Sequence, residues 1–389
     1  MKKILFISSS RADYGLLREV IIETQKLNKT TYLMVTGSHF SKDFGKTFSE
    51  IKKDKVKNLI KKNIIIKKFS DNKICEYISG AIKSTRDTIL KIKPEILVIL
   101  GDRYELLGCA IAAMISRVPI VHIHGGEITS GAYDDAIRHS LTKLSHLHFP
   151  IHHQYKKRLI QLGEDPKRIF NFGGLGAHSV KKSILLNKKQ LEKILKIKFD
   201  KKIILVSFHP VTLEKNRSKY QVRNLIKFLK ELNNSTIIIT SPNFDNESKI
   251  IKREFLSFVK KKTNAYFYNS LGHKTYISLM KISYLVIGNS SSGVLETPSF
   301  GIKTINIGNR QMGRISPNNV VNCDYDYYSI KKAFLKIQKK PKNISNPFFK
   351  KNTPIKIAKK IVSSKLDLKK KFFDISNLGQ LSILGKKND

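Results

Sequence analysis

The sequence predicts an α/β protein made of two Rossmann-like domains that face a cleft. Short apolar runs alternate with amphipathic helical patterns along most of the chain. The runs are continuous, as in residues 96–100 (ILVIL), which is typical of parallel strands buried on both faces. This rhythm is interrupted at the glycine-rich residues 171–176 and then repeats, which predicts a second domain of the same kind.

The predicted elements follow this rhythm in both halves. In the first half we predict strands at residues 3–9, 31–36, 96–100 and 118–123, and helices at 13–28, 74–93, 104–116 and 133–147. In the second half we predict strands at 203–208, 236–240, 265–268, 284–288 and 303–307, and helices at 217–232, 246–262, 273–282 and 292–300. We therefore expect a first domain at 1–175, a second at 176–353, and a tail at 354–389. The tail holds a helix that we expect to pack on the first domain.

Composition excludes several classes of protein. The chain has 389 residues, of which 41% are hydrophobic, enough for two cores. No apolar run reaches the roughly 18 residues of a membrane span. The apolar run near the start ends at Arg11, so we interpret it as a strand and not a signal peptide. The three cysteines form no CxxC pair, which favours a reducing cytoplasm.

The net charge of +43 raises the question of a nucleic-acid partner. The lysines are spread along the whole chain, and the sequence has no arginine-rich helix, zinc-finger spacing or aromatic RNA-binding pattern. We therefore expect no nucleic-acid partner. The positive field would still attract an anionic substrate.

Carboxylates and histidines follow the predicted strands of the first half. Asp102 comes directly after the strand at 96–100, where it is either a helix N-cap or a catalytic group. The next strand leads into residues 122–140 (HIHGGEITSGAYDDAIRHS), which contain His124, Glu127 and Asp134. A metal site is one interpretation of this stretch. An acid–base site fits better, because there is no HExxH motif and several carboxylates lie near a histidine.

The turn after the first strand carries Arg11, which either contacts phosphate or merely opens a capped helix. In the second half, His209 follows a strand and could donate to a diphosphate, although a structural histidine fits as well. Residues 290–293 (SSSG) open a helix after another strand, and Glu296 is spaced to reach ribose hydroxyls. Serine hydroxyls and N–H groups at a helix start favour an anion. The candidates for contact with a phosphate or nucleotide are Arg11, His209, Ser290, Ser291, Ser292, Gly293 and Glu296.

Several motifs in this order resemble the hydrolysing UDP-N-acetylglucosamine 2-epimerases of bacterial sialic acid pathways. They are SRADYG, GDRYE, HIHGGE, YDDAIRHS, FHP and GNSSSGVLETPS, followed by INIGNRQMGR, and they extend to about residue 320. The resemblance implies a glycosyltransferase-B-like fold and a reaction without metal or other cofactor. UDP is eliminated to leave a glycal, and water then adds to release N-acetylmannosamine.

The resemblance also implies roles for single residues. Asp102, Glu127 and Asp134 match the catalytic carboxylates, and we assign proton transfer at C2 to Glu127 and Asp134. Asp102 would orient or activate water. His124, Arg138 and His139 are expected to support this site.

The substrate stays open at this stage. Related enzymes act on UDP- or GDP-linked 2,4-diacetamido-2,4,6-trideoxyglucose in legionaminic acid synthesis, and segments 39–48 and 310–320 are where we expect selectivity to lie. A glycosyltransferase or a non-catalytic nucleotide-sugar-binding protein is the alternative from a different class. The resemblance further implies a homodimer or homotetramer, and the lack of a long apolar run predicts no membrane partner.

Overall fold

The structure is a computed structural model that describes residues 2–40, 47–54, 56–64, 71–242, 247–339 and 344–375. The chain divides into two compact units. Unit 1 comprises Met1–Glu127, Asp134–His178 and Lys350–Asp389, and unit 2 comprises Ile128–Tyr133 and Ser179–Phe349. The short segment Ile128–Tyr133 thus belongs to unit 2, although the chain on both sides of it belongs to unit 1.

Unit 1 is a parallel sheet with helices between its strands. In chain order its elements are β1 (Ile4–Ser8), α1 (Arg11–Leu27), β2 (Thr31–Val35), α2 (Phe48–Lys53), β3 (Leu59–Lys61), α3 (Asp71–Ile92), β4 (Ile96–Leu100), α4 (Tyr104–Ile115), β5 (Ile120–Ile123), α5 (Asp134–Leu144), β6 (Leu147–Phe149) and α6 (His153–Gln161). Helix α7 (Leu175–Lys182) leads out of the unit. The strand order is β3-β2-β1-β4-β5-β6, with all neighbours parallel.

Unit 2 repeats this plan. Its elements are α8 (Lys188–Leu195), β7 (Lys202–Ser207), α9 (Ser218–Lys230), β8 (Ser235–Thr240), α10 (Ser248–Lys260), β9 (Ala265–Tyr268), α11 (Gly272–Ile282), β10 (Leu285–Gly288), α12 (Ser292–Leu295), β11 (Lys303–Ile307), β12 (Val320–Cys323) and α13 (Tyr327–Gln338). The parallel strand order is β12-β11-β10-β7-β8-β9. The last helix of the chain, α14 (Thr353–Ser363), belongs to unit 1.

In each sheet the strands are added outward in one direction and then in the other. The order reverses between β1 and β4 in unit 1 and between β7 and β10 in unit 2. In open parallel sheets, ligands bind beyond the carboxyl ends of the strands at this switch point. The prediction of two Rossmann-like domains is confirmed, and the switch points identify the loops after β1, β4, β7 and β10 as the places to look for a site.

Burial on both faces explains the continuous apolar runs. Ile4 and Phe6 of β1 pack into one core of unit 1, whereas Leu5 and Ile7 pack into the core on the opposite face of the sheet. Helix α14 contributes Ile357 and other apolar residues to the first of these cores, where it packs on α1.

Two predicted helices differ from the structure. The predicted helix 133–147 ends at Leu144, because Leu147–Phe149 pair with β5 as strand β6. The predicted helix 292–300 is only four residues long and is followed by a 3-10 turn at Thr297–Phe300, where Pro298 cannot continue the α-helical hydrogen bonds. The elements that were not predicted are the short β3, β6, β12, α2, α6, α7 and α8, and the 12-residue helix α13.

The domain boundaries also differ by a few residues from those expected at 175 and 353. Part of the predicted selectivity segment, residues 41–46, and the basic tail after residue 375 lie outside the described residues. Within the described part of the chain, no helix has the length and apolar character needed to cross a membrane.

Candidate functional site

The predicted carboxylates of unit 1 gather around one buried arginine. Arg138 on α5 is 1% exposed. Its Nε and Nη2 donate to Asp102 Oδ2, and its Nη1 donates to the backbone oxygen of Glu127 at 2.9 Å. Burial alone would lower the pKa of Arg138, but Asp102, Glu127 and Asp134 act on it electrostatically and raise it. The three predicted catalytic carboxylates therefore lie within electrostatic reach of one cation.

Helix α5 provides more than Arg138. Asp135 precedes it by three residues, and the Asp135 carboxylate accepts a hydrogen bond from Arg138 Nη1 at 3.2 Å. His139 Nε2 lies 3.6 Å from the other oxygen of Asp135. Burial lowers the pKa of His139, and Asp135 opposes that shift. His139 thus contacts Asp135 and none of the three predicted catalytic carboxylates in the contacts described.

Glu127 is held in a tight turn after β5. Its side chain is buried, and its Oε1 lies 3.4 Å from His124 Nδ1. His124 has a φ of +69°, a left-handed conformation that is uncommon for residues with a Cβ atom and often occurs at functional sites. Gly126, with a φ of +82°, leaves room for the Tyr155 backbone, and its own carbonyl accepts from Arg158. This turn places Glu127 beside a histidine.

His122 is a structural residue. It is fully buried on β5, and burial lowers its pKa to about 3, so the imidazole is neutral. Its Nε2 donates to the Gly101 carbonyl at 2.8 Å, while Nδ1 lies 3.3 Å from the Thr142 hydroxyl. The ring thereby ties the turn that carries Asp102 to β5.

The turn after β1 differs from a simple phosphate loop. The backbone N–H groups of Ser9 and Ser10 donate to the Asp13 carboxylate, and Ser10 caps α1 in return. The chain's own carboxylate thus occupies the N–H groups that an incoming phosphate would use. Arg11 is the first residue of α1 and is half-buried. Its side chain is therefore the group of this turn that is left for the predicted phosphate contact.

In unit 2, His209 follows β7 beside the switch point. The Asn289 side chain holds the His209 backbone by two hydrogen bonds. The His209 N–H donates to Asn289 Oδ1 at 2.7 Å, and Asn289 Nδ2 donates to the His209 carbonyl at 2.8 Å. Burial and the nearby Arg310 lower the pKa of His209 well below its ordinary value, so the ring is neutral. Gly288 precedes Asn289 with a φ of +142°, and a Cβ there would come within 2.0 Å of the Ser207 carbonyl.

The serines after β10 form a hydroxyl chain. Ser290 Oγ lies 3.0 Å from Ser292 Oγ, which lies 2.7 Å from the Tyr276 hydroxyl. Ser291 precedes α12 without a side-chain capping bond, and Gly293 lets α12 approach Thr304 of β11. Because α12 has only four residues, its dipole is small, and hydroxyls and cations must supply most of any anion binding.

Glu296 lies at the end of α12, where the prediction placed it one turn into a longer helix. Burial raises the pKa of its carboxyl to about 7. Nothing in the sequence indicated Tyr276, and it indicated Arg310 and Gln311 only as members of the predicted selectivity segment 310–320, without a role for either side chain. Arg310 Nη1 and Gln311 Nε2 both donate to the Asn289 carbonyl, at 3.1 and 2.9 Å. Their position after β11, the strand next to β10, is the signal that could have identified them.

The segment Ile128–Tyr133 packs between two loops of unit 2. Ser130 N–H donates to the Met312 carbonyl at 3.2 Å, and the Gly131 carbonyl accepts from Leu213 N–H at 3.4 Å. A Cβ at Gly131 would lie 2.6 Å from Asn309 Oδ1. A larger residue at position 131 would therefore require the Asn309 side chain to move.

These two groups of residues support different chemistry. The carboxylates around Arg138 provide acid–base groups, which proton transfer at carbon requires. The hydroxyls, the neutral His209 and Arg310 are hydrogen-bond donors, the kind of group that can stabilise an anion. No group of three or more His, Cys, Asp or Glu side chains with metal-binding geometry occurs among the described residues.

Comparison with known proteins identifies the family. A family model described as UDP-N-acetylglucosamine 2-epimerase matches residues 23–362. The chain is 41% identical over 343 residues to the GDP/UDP-N,N'-diacetylbacillosamine 2-epimerase (hydrolyzing) of Campylobacter jejuni, covering 87% of this chain and 88% of the relative. It is 37% identical over 392 residues to the polysialic acid biosynthesis protein P7 of Escherichia coli, covering 96% and 98%.

A solved structure supports the fold. The UDP-GlcNAc 2-epimerase from Neisseria meningitidis, bound to UDP-GlcNAc, superimposes with a TM-score of 0.79 at 19% identity, covering 93% of this chain and 100% of that one. The superposition thus supports the fold of two Rossmann-like units, and the family model identifies the family. The chain belongs to the UDP-N-acetylglucosamine 2-epimerase family, together with relatives that hydrolyse their substrates.

Proposed function

We propose that this enzyme converts a nucleotide-linked 2-acetamido-2-deoxyglucose derivative and water into the free manno-configured sugar and a nucleoside diphosphate. The observation that carries the proposal is the set of three carboxylates, Asp102, Glu127 and Asp134, around the buried Arg138. Inversion at C2 needs one group to remove a proton and another to return one on the opposite face.

The reaction divides into an elimination and a hydration. In the elimination, one carboxylate removes the C2 proton, a C1–C2 double bond forms, and the C1–O bond to the diphosphate breaks. In the hydration, water adds its oxygen to C1 and a proton is returned to C2 from the other face. We assign the two proton transfers to Glu127 and Asp134.

The positions of Asp102 and Glu127 support different roles for them. Arg138 donates twice to Asp102, which holds this carboxylate in one orientation and suits a group that orients water. Glu127 is buried beside His124, which suits a group that exchanges protons in a site with little water. His124 and Arg138 are thus positioning residues in this proposal.

Nucleotide binding is assigned to unit 2. Ser290, Ser291 and Ser292, with the Gly293 backbone, would contact the diphosphate, and His209 and Arg310 would donate to it as charge develops on the leaving group. Glu296 would accept from the ribose hydroxyls. Arg11 of unit 1 would add a further phosphate contact.

Two sugars are candidates for the substrate. The motifs of the sequence predict UDP-N-acetylglucosamine. The 41% identity to a relative named for GDP/UDP-N,N'-diacetylbacillosamine favours a 2,4-diacetamido-2,4,6-trideoxyglucose linked to UDP or GDP. We also propose that the protein is a cytoplasmic homodimer or homotetramer. Light scattering after size-exclusion chromatography measures the mass of the particle and so tests the oligomeric state.

The test is turnover in D2O followed by NMR. The enzyme is incubated separately with UDP-N-acetylglucosamine and with UDP- and GDP-linked 2,4-diacetamido-2,4,6-trideoxyglucose. We expect a free manno-configured sugar with deuterium at C2 from at least one of them. If no free sugar is released from any of the three substrates, the proposal is overturned. A manno-configured product that is still linked to the nucleotide would exclude hydrolysis. A released sugar without deuterium at C2 would exclude the elimination.

A further inference from the structure

The hydroxyl groups of Ser290, Ser292 and Tyr276 continue as a line into the sheet of unit 2. The Tyr276 hydroxyl lies 3.2 Å from Ser207 Oγ, and Ser207 Oγ lies 2.7 Å from Thr240 Oγ1. Ser207 ends β7 and Thr240 ends β8, and the two residues are partners in the register of these strands. The five hydroxyl groups, which we call the five-hydroxyl chain, thus connect the loop after β10 with the end of β8.

The two ends of the five-hydroxyl chain have different surroundings. At the outer end, Ser290 and Ser292 both keep part of their surface exposed, and both are assigned to the diphosphate. At the inner end, Thr240 Oγ1 lies 3.3 Å from the Val206 carbonyl, to which it can donate. Between the ends, burial raises the pKa of Tyr276, so its hydroxyl stays protonated. The chain therefore joins an accessible end to a fixed backbone acceptor.

The five-hydroxyl chain has two self-consistent directions, because a hydroxyl group donates one hydrogen bond and can accept two. In the inward direction each hydroxyl donates toward the sheet, and Thr240 donates to the Val206 carbonyl. In the outward direction each hydroxyl donates toward the loop, and the Ser290 hydrogen points to a ligand. The inward direction contains one more hydrogen bond within the protein. It is therefore favoured as long as no anion is bound.

A bound phosphate reverses this preference. An ionised phosphate oxygen accepts hydrogen bonds and donates none, so Ser290 contacts it favourably only in the outward direction. The reversal requires rotation of hydroxyl hydrogens, and no covalent bond forms or breaks. Hydrogen bonds in a line polarise one another, so the inner hydroxyls strengthen donation by Ser290. Such a line of aligned dipoles would stabilise negative charge that grows on a leaving diphosphate.

We propose that Tyr276 is a positioning residue for the diphosphate, and that the five-hydroxyl chain reverses to the outward direction when the diphosphate binds. The inference rests on the proposed function and adds a residue to its nucleotide site. It also gives the inner residues opposite effects. The Tyr276 hydroxyl supports donation to the ligand, whereas Thr240 with the Val206 carbonyl stabilises the inward direction and so opposes binding.

The experiment measures affinity for UDP and for uridine by calorimetric titration in four proteins, the wild type, Y276F, T240V and the control Y268F. Uridine lacks the phosphate groups. Phenylalanine at position 276 keeps the ring and removes the hydroxyl, and valine at position 240 keeps the branched shape of threonine. Tyr268 lies on β9, and its hydroxyl donates to the Leu195 carbonyl at 2.9 Å, outside the five-hydroxyl chain.

We expect Y276F to lower the affinity for UDP about tenfold, the equivalent of one hydrogen bond, and to change that for uridine less than about twofold. T240V should not lower it. Without the Thr240 hydroxyl, the inward direction leaves the Ser207 hydrogen without its acceptor, so the outward direction is favoured. The affinity of T240V for UDP should therefore equal that of the wild type or exceed it by up to about fivefold. Y268F should keep both affinities at the wild-type values.

Three results would each overturn the inference. They are an unchanged affinity for UDP in folded Y276F, an equal loss of affinity for UDP and uridine in Y276F, and a loss of affinity for UDP in folded T240V. A merely structural role of Tyr276 predicts the second result, because a distorted site would bind both ligands less tightly. Circular dichroism shows which variants are folded, and either variant decides alone if the other does not fold.

Turnover by the wild type separates this inference from the proposed function. If the wild type releases a free manno-configured sugar and one of the three results is obtained, only the role of the five-hydroxyl chain is overturned. Absence of turnover with every sugar nucleotide tested overturns the epimerase proposal itself.

Discussion

Arg138 holds Asp102 with two donors, Nε and Nη2, that both reach the same carboxylate oxygen. The arginine is buried in α5 and the aspartate follows β4, so the pair joins a helix to the carboxyl end of the sheet. The third donor of the guanidinium group, Nη1, reaches the Glu127 carbonyl and Asp135. Arg138 thus sets the positions of several acidic residues at once.

R138K should impair catalysis more than binding. Lysine keeps the positive charge but loses the planar fork that holds Asp102 and the Glu127 backbone together. We expect kcat to fall about 100-fold, because small displacements of catalytic groups have effects of that size. The measurement is steady-state kinetics with the substrate identified by NMR, and KM should change less than about threefold.

R223K is the matched control, because Arg223 pairs with Glu254 at an exposed position of unit 2. It should leave kcat unchanged. R138L leaves Asp102 without its arginine partner and should lower the free energy of unfolding by about 2–4 kcal/mol. This is less than the loss of a fully buried ion pair would cost, because the Asp102 side chain is 24% exposed and solvent screens its charge. Equal kcat values for R138K and R223K would contradict the positioning role.

E127Q should abolish exchange of the C2 hydrogen with D2O. An amide of the same shape cannot accept the proton, whereas the turn around His124 and Gly126 has no need of the charge to form. D102N should slow sugar release and still permit exchange at C2, since its proposed task is to orient water. The measurement is NMR of the C2 position in both variants. Loss of exchange in D102N with exchange retained in E127Q would reverse the assignment.

The fold was predictable where several residues carry the same signal. The five apolar residues of β4 predict a strand with the observed bounds, because each packs into one of the two cores of unit 1. Strand β6 has three residues, too few for a periodic pattern, and only its pairing with β5 makes it a strand. The break after α12 was visible as Pro298, but the apolar pattern around it favoured a longer helix.

The site was predictable where a side chain directly follows a strand. Asp102 and His209 are of this kind, and their roles remain predictions. Tyr276 lies inside helix α11 and reaches Ser292 only through tertiary packing, so no local pattern indicates it. Likewise, the sequence places serine N–H groups after β1, but only the structure shows that Asp13 already occupies them.

Glu296 should make nucleotide binding depend on pH. Burial raises its pKa to about 7, and the ionised form accepts hydrogen bonds from ribose hydroxyls better than the protonated form. Affinity for UDP should therefore increase between pH 6 and pH 8, by about three- to tenfold, as the ionised fraction rises. Calorimetric titration at several pH values measures this. The phosphate of UDP itself titrates near pH 6, so the difference between wild type and E296Q isolates Glu296.

The same carboxyl group should affect stability in the opposite sense. The folded chain keeps the proton up to about pH 7, whereas the unfolded chain releases it near 4.5. The folded state therefore loses stability as the pH rises from 4.5 to 7, and this loss is absent in E296Q. Urea unfolding should show the variant gaining about 1–3 kcal/mol relative to wild type over that interval, allowing for the partial exposure of Glu296. If the difference in the free energy of unfolding between E296Q and wild type is the same at all pH values from 4.5 to 7, the pKa of Glu296 is not raised.

G131A should lower activity without touching a catalytic group. A Cβ at Gly131 would lie 2.6 Å from Asn309 Oδ1 and 3.1 Å from the Asn309 backbone, so the Asn309 side chain must move and the segment Ile128–Tyr133 must give by a few tenths of an ångström. That segment joins Glu127 directly to Asp134, the two residues assigned to proton transfer. We expect kcat to fall about tenfold and the free energy of unfolding to fall by about 1–3 kcal/mol. Kinetics and urea unfolding measure the two effects.

N309A provides the control for this prediction. The nearest atom to the new methyl group belongs to the Asn309 side chain, so the double variant G131A/N309A should recover part of the kcat lost in G131A. The recovery should be partial, because the Asn309 backbone stays at 3.1 Å and because Asn309 also binds Tyr325 and Glu214. Strictly additive effects of the two substitutions on kcat would mean that Gly131 does not act through its contact with Asn309.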